Sequence, residues 1–157
     1  MPYLQFMFLS LILGTCHHIT PFVNYEQGRI NGIYYILDEG KCLDNEVKQV
    51  DIPGVICIPD KPLLTVKDIS ELSAPTEDLE QGLRSLTIRL SEEGGKTLSL
   101  VTEMYPGDRL ALVLDNVAVF ILAIEQTITS GEIVLKEDLK GRTLDYTYRI
   151  LEKDLGG

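Results

Sequence analysis

Apolar and polar positions alternate most regularly at residues 85–90, where Leu86, Ile88 and Leu90 interleave with Ser85, Thr87 and Arg89. That period of two predicts a strand with one wet face. Gly94-Gly95 then marks a helix start, and Leu98, Val101 and Met104 or Tyr105 recur at three and four residues, placing one apolar stripe on a short helix. Pro106-Gly107 ends it, because proline cannot continue the ladder and glycine takes up unusual backbone angles. Residues 110–114 are apolar on both faces, as in a central strand, and Asp115-Asn116 predicts a hairpin turn into a partner strand over 117–124. A turn at Ser130-Gly131 leads into a further strand. Residues 136–152 predict a closing helix with Leu144, Tyr148 and Leu151 on one face, and Gly141 delays its start to about Arg142. From Leu83 onward the order is β-α-β-β-β-α, an α+β fold: a small mixed or antiparallel sheet with helices packed on one face.

Upstream the pattern is weaker. Residues 32–37 predict a strand, rich in β-branched and aromatic side chains. Residues 42–62 look like loop, with a short strand at 54–58 fenced by Pro53 and Pro59. Residues 65–72 predict a short helix capped by Thr65 with Asp68 in its first turn, followed by an acidic linker over 74–81. Residues 1–15 hold a short apolar core, too brief for a span of about 20 residues and suited to a signal peptide. Leu13-Gly14-Thr15-Cys16 matches the form of a bacterial lipobox, with Cys16 as the lipidated residue. The leader lacks Lys or Arg, which a missed upstream start would explain; an uncleaved anchor or a buried N-terminal strand is the alternative. The expected organisation is a signal peptide at 1–15, a tether at 16–31, an N-terminal extension at 32–82 and the main domain at 83–155.

Charge narrows the function classes. The 157 residues carry a net charge of -10, against nucleic-acid binding, which needs a basic face, and against a peripheral grip on anionic lipid. No charged residue precedes Glu26. With Cys16 set aside, Cys42 and Cys57 remain as an even pair, and an oxidising envelope favours a disulfide between them. It would close a loop of about 15 residues, worth about 3 kcal/mol. Two buried free thiols are the alternative. A zinc site wants four ligands and no histidine lies near, so no metal or cofactor is expected.

Little points to catalysis. His17 and His18 sit on the tether, where no base can be held against a nucleophile. Asp38, Glu39, Asp44 and Glu46 cluster without the glycine-punctuated spacing of a calcium loop. Glu92-Glu93 suits a helix N-terminus, and Asp115 suits a turn. Gly94-Gly95-Lys96-Thr97 contains Gly-Lys-Thr, but Leu90 stands where a phosphate loop needs its first glycine. No enzyme is expected. Residues 117–124, apolar throughout, predict a strand buried on both faces; a partly exposed strand that receives a partner chain is the sharper alternative. It makes Phe120, Ile121 and Leu122 the candidate partner-binding residues.

Residues 93–131 resemble the head subdomain of the periplasmic loop of SecD, part of the SecDF protein-translocation machinery. The residues that carry the resemblance are Glu93-Gly94, Thr102, Gly107, Arg109-Leu110-Ala111, Leu112-Val113-Leu114, Asp115 and Ile128-Thr129-Ser130-Gly131. Looser similarity reaches residues 34–37, 63–72 and the last helix. The SecD pattern carries small residues and a proline near Phe120-Ile121-Leu122; losing that proline favours edge pairing. The resemblance implies an envelope domain that contacts polypeptide emerging from the translocon. The family's proton-driven cycle resides in membrane helices, which this chain lacks, so motor activity is not carried over. The expectation is a non-enzymatic, lipid-anchored module that binds unfolded polypeptide or an envelope protein partner. It would lie in the periplasm or on a membrane, the outer one favoured because no acid follows Cys16. A structural or assembly lipoprotein docking to one folded partner is the second hypothesis, and a carboxylate-dependent enzyme the third.

Overall fold

Why this pattern makes two sheets rather than one becomes clear from where the strands pair. A computed structural model describes residues 28–37, 46–49 and 54–156. The strands are β1 (Gly32–Tyr35), β2 (Glu46–Gln49), β3 (Val55–Cys57), β4 (Leu64–Thr65), β5 (Ile69–Leu72), β6 (Thr76–Asp78), β7 (Leu83–Leu90), β8 (Arg109–Leu114), β9 (Val117–Ala123) and β10 (Glu132–Asp138). Helix α1 (Glu92–Met104) lies between β7 and β8, and α2 (Thr143–Leu155) closes the chain. The β-α-β-β-β-α order from Leu83 and the α+β class are those the pattern predicts. Strands before residue 83 pair with strands after it in both sheets.

The first sheet runs β3-β2-β9-β8-β1-β4. It curls back on itself, because Leu37, just past β1, bridges Cys57 on β3 and donates its N–H to the Cys57 carbonyl at 2.8 Å. Tyr34, Ile36, Val47, Ile56, Ile58, Ala111, Val113 and Ala118 fill the space within that curl, with Ile121 packed against them. The opposite faces of β1, β8 and β9 meet the second sheet and both helices in a larger core containing Ile33, Leu112, Leu86, Ile133, Leu98 and Leu144. Burial on both faces is why 110–114 reads as unbroken apolar sequence. One irregularity in β9 serves both cores. Val113 pairs with Ala118 and Leu112 with Phe120, so Val119 is an extra, bulged residue. The bulge lets consecutive Val119 and Phe120 both face the larger core, while Ala118 and Ile121 face the curl.

The second sheet is built on β7, with β10 along one side and both β5 and β6 along the other. Ser73 and Thr87 bind each other between β5 and β6, the Ser73 N–H donating to the Thr87 carbonyl at 2.9 Å and the Thr87 N–H to Ser73 Oγ at 2.8 Å. Pro75 interrupts what would otherwise be one strand.

Four expectations change. The helix expected at 65–72 is one 3-10 turn, Val66–Asp68, followed by β5. Asp68 does accept from the Thr65 N–H at 2.7 Å, but β7 offers Ile69–Leu72 a ladder and the helix stops. The acidic linker contains β6, paired to β7 at Thr76, Glu77 and Asp78. Residues 46–49, expected as loop, form β2, parallel to β9 and antiparallel to β3. On α1, Leu98 is buried and Val101 packs on the core, whereas Met104 and Tyr105 are exposed. The buried set includes Thr102, whose hydroxyl bonds the Leu98 carbonyl at 2.9 Å and accepts the Ile128 N–H at 2.9 Å.

Candidate functional site

Phe120, Ile121 and Leu122 lie together on β9, paired with Leu112, Ala111 and Leu110 of β8. All three are half-buried. Phe120 and Leu122 rest on the larger core, and Ile121 on the core within the curl. The segment therefore has a structural role and retains some accessible surface. At its far end Ile124 donates its N–H to the Asp108 carbonyl and accepts from Gly107, both at 2.8 Å. Gly107 adopts φ 89°, which the turn after Pro106 requires. Nearby, Tyr35 stacks obliquely on Tyr105 at a 5.4 Å ring separation, and its hydroxyl donates to Asp108.

The opposite end of the β8–β9 hairpin borders an open groove of ≈ 830 Å³. Asp115 (φ 48°) and Asn116 (φ 65°) make the left-handed turn that hairpins of this length need. Neighbours hold that strained pair: Asn31 accepts the Asp115 N–H at 2.8 Å, and Asn116 accepts the Arg29 N–H at 2.7 Å. Asn31 also donates to Asp154 at 2.8 Å, tying the end of α2 to the lead-in of β1. The Tyr146 hydroxyl donates to Asp115 at 3.1 Å; burial first, then that bond, pushes its pKa up. Ile30, Val66, Ile69 and Leu155 supply apolar walls. These polar groups bind one another, so the groove has the chemistry of a brace.

The most concentrated charge lies under the N-terminus of α2. Arg84 is only 8% exposed. It continues the inward-facing row of Leu86, Ile88 and Leu90, and its cross-strand partner Glu137 continues the row of Ile133 and Leu135. The guanidinium donates to Glu137 at 3.1 Å, to the Gly141 carbonyl at 3.0 Å, and to both Asp145 oxygens at 3.0 and 2.7 Å. Glu137 in turn accepts the N–H groups of Thr143 and Leu144 at 2.9 and 3.3 Å, capping α2. A side chain at Gly141 would run into the Glu137 carboxylate. The Arg84 hydrogen bond holds the Asp145 carboxyl below its ordinary value and raises Arg84. This cluster escaped the sequence reading. The available signal was parity: an arginine and a glutamate each two residues beyond an apolar run, on its inward face.

Glu92 pairs with Lys96 at the start of α1, where Ser91 accepts the Gly94 N–H at 3.1 Å. Glu46 lies on β2 and Asp115 in the β8–β9 turn. Asp38, Glu39 and Asp44, the histidines, Cys16 and Cys42 all lie outside the described residues, as does the leader, whereas Cys57 ends β3. Among the described residues, no group of three His, Cys, Asp or Glu side chains could hold a metal ion. No described helix is long and apolar enough to cross a membrane.

No family model matches the chain, and no curated protein does. Solved structures are similar to it. One comes from work on the structure and function of a membrane component, SecDF, that enhances protein export. The likeness has a TM-score of 0.57 at 23% identity, over 82% of this chain and 64% of that one. A second is a crystal structure of SecDF in a super-membrane-facing form, at TM-score 0.56 and 23% identity, covering 79% of this chain and 18% of that one. The chain thus spans less than two thirds of the length of either and shares with them a SecD-like fold.

Proposed function

We propose that this chain is a non-enzymatic cell-envelope module that binds polypeptide or an envelope protein partner, anchored by a lipid on Cys16. The observation that carries the reading is the SecD-like fold, which runs over 82% of this chain and so well beyond the stretch that carries the sequence resemblance. The similar protein is a membrane component that enhances protein export. Phe120, Ile121 and Leu122, half-buried on β9, are the proposed contact. A bridge between Cys42 and Cys57 belongs to the same reading.

Two measurements test it. The purified chain, mixed with a reduced, unfolded protein, should capture it and slow its aggregation. Phe120→Ala should weaken capture while leaving circular dichroism intact, with stability lowered by about 1–3 kcal/mol for a half-buried ring. Failure to bind any unfolded chain, with binding confined to one folded envelope protein, would replace the client-binding reading by a docking lipoprotein. Intact mass from a bacterial host should show loss of residues 1–15, added acyl mass, and two hydrogens fewer before reduction. A full-length, unmodified, reduced chain would remove the envelope assignment.

A further inference from the structure

Strand β10 borders the second sheet. Its register with β7 is continuous from Glu132 opposite Arg89 to Asp138 opposite Leu83, without a bulge. The hydrogen-bonding phase follows from Leu90, which donates its N–H to the Gly131 carbonyl at 2.9 Å. The even-numbered residues of β7 therefore bond to the odd-numbered residues of β10. Thr87 confirms the phase, since its main-chain groups turn the other way, to Ser73. Val134 and Lys136 consequently aim their N–H and C=O groups at the open side of β10. No main-chain partner meets them there among the described residues. The side chains of Glu132, Val134 and Lys136 share the outer face, and Val134 is 48% exposed in the middle of this charged row.

That row is self-complementary. If a second copy is laid antiparallel against it with Val134 facing Val134, Glu132 of each copy falls opposite Lys136 of the other. On the inner face Ile133 falls opposite Leu135. The outward groups of Val134 then form a closely spaced hydrogen-bonded pair, and on either side the Glu132 carbonyl accepts from the Lys136 N–H of the other copy, the Glu132 N–H already donating to Ser130 Oγ at 3.2 Å. Shifting the register by two residues loses this match: in one direction Glu132 opposes Asp138, and like charges directly opposite are destabilising, and in the other Glu132 opposes Val134 and Lys136 opposes Ser130, without an ion pair. We propose that β10 is a homodimer edge, joining two copies about a two-fold axis at Val134 into one continuous antiparallel sheet. The register explains why an exposed valine sits between opposite charges on an edge that is otherwise an aggregation liability. A contact this short lies at the small end of interfaces, so the dimer forms in a concentration-dependent way.

Sedimentation equilibrium of the whole chain over a range of concentrations tests the proposal. The wild type should show a monomer–dimer equilibrium. Lys136→Glu, an exposed substitution that leaves the fold intact, sets two Glu–Glu contacts across the axis and should weaken association about ten-fold or more. Lys136→Arg, which keeps the cation opposite Glu132, should dimerise as the wild type does, so that the loss in Lys136→Glu follows the sign of the charge. Val134→Pro removes an outward N–H without touching the β7 ladder and should also weaken the dimer. A monomer at every concentration overturns the proposal, as does a dimer indifferent to both Lys136→Glu and Val134→Pro. A dimer dispersed by excess unfolded polypeptide would assign the edge to client strands and overturn the second copy as its occupant.

Discussion

Arg84 and Arg89 lie on one strand, and an odd spacing sends them to opposite faces. Arg89 stands on the wet face, bonded to Glu132 at 2.8 Å and also to Glu71, where an ion pair contributes little. Arg84 points inward and satisfies Glu137, Asp145 and a loop carbonyl together. Arg84→Met should therefore lower the urea midpoint clearly, because it leaves the buried Glu137 carboxylate without its cation, whereas Arg89→Met should leave the midpoint nearly unchanged. Acid should act through the same cluster. Asp145 has its pKa depressed by Arg84, so its stabilisation is present above the ordinary carboxylate value and lost as pH falls through the folded value. Denaturation from about pH 7 to about pH 3 should show an acid-side loss of stability that Arg84→Met makes shallower. Equal acid limbs in both proteins would remove Asp145 from the account.

At the scale of elements, neighbouring glycines in α1 make different demands. A Cβ on Gly94 would sit 3.0 Å from the Asp68 carbonyl, which cannot retreat because it already accepts the Ser91 N–H at 2.7 Å. Gly95 has 3.4 Å to the Gly131 Cα, an ordinary contact. Gly94→Ala should cost about 1–3 kcal/mol by overpacking, and Gly95→Ala should stabilise by up to about 1 kcal/mol through helix propensity; urea unfolding of both variants decides. Equal effects would mean that α1 does not press on the 3-10 turn. The Gly-Gly pair marked the helix start in the sequence, but which glycine is constrained depends on a loop more than twenty positions upstream. The Thr65–Leu72 segment shows the same limit. Its Thr–Asp cap is visible locally, while its conversion to strand depends on the empty side of β7.

At the scale of the molecule, β1, β8 and β9 are common walls to two cores, so the cores should not melt apart. Ile58→Ala, within the curl, and Leu86→Ala, in the larger core, each remove a fully buried side chain and should each cost about 2–5 kcal/mol. Both variants should still unfold in a single transition by circular dichroism and tyrosine fluorescence. Two separated transitions in either would show the curled sheet to be an independent unit. The same shared walls constrain β9: a substitution at Phe120, Ile121 or Leu122 tests partner binding only if the cooperative transition survives.

The sequence by itself determined the α+β class, the order of elements from Leu83, the hairpin turn at Asp115-Asn116 and the late start of α2, because each rests on local period, turn chemistry or capping. Tertiary structure alone decided the division into two sheets, the strand at 46–49, the bulge at Val119 and the Arg84–Glu137–Asp145 cluster. Pairing energy and charge burial depend on what lies across the ladder, and Glu46–Gln49 has only Val47 to bury. An isolated segment carries no record of its neighbour on the next strand.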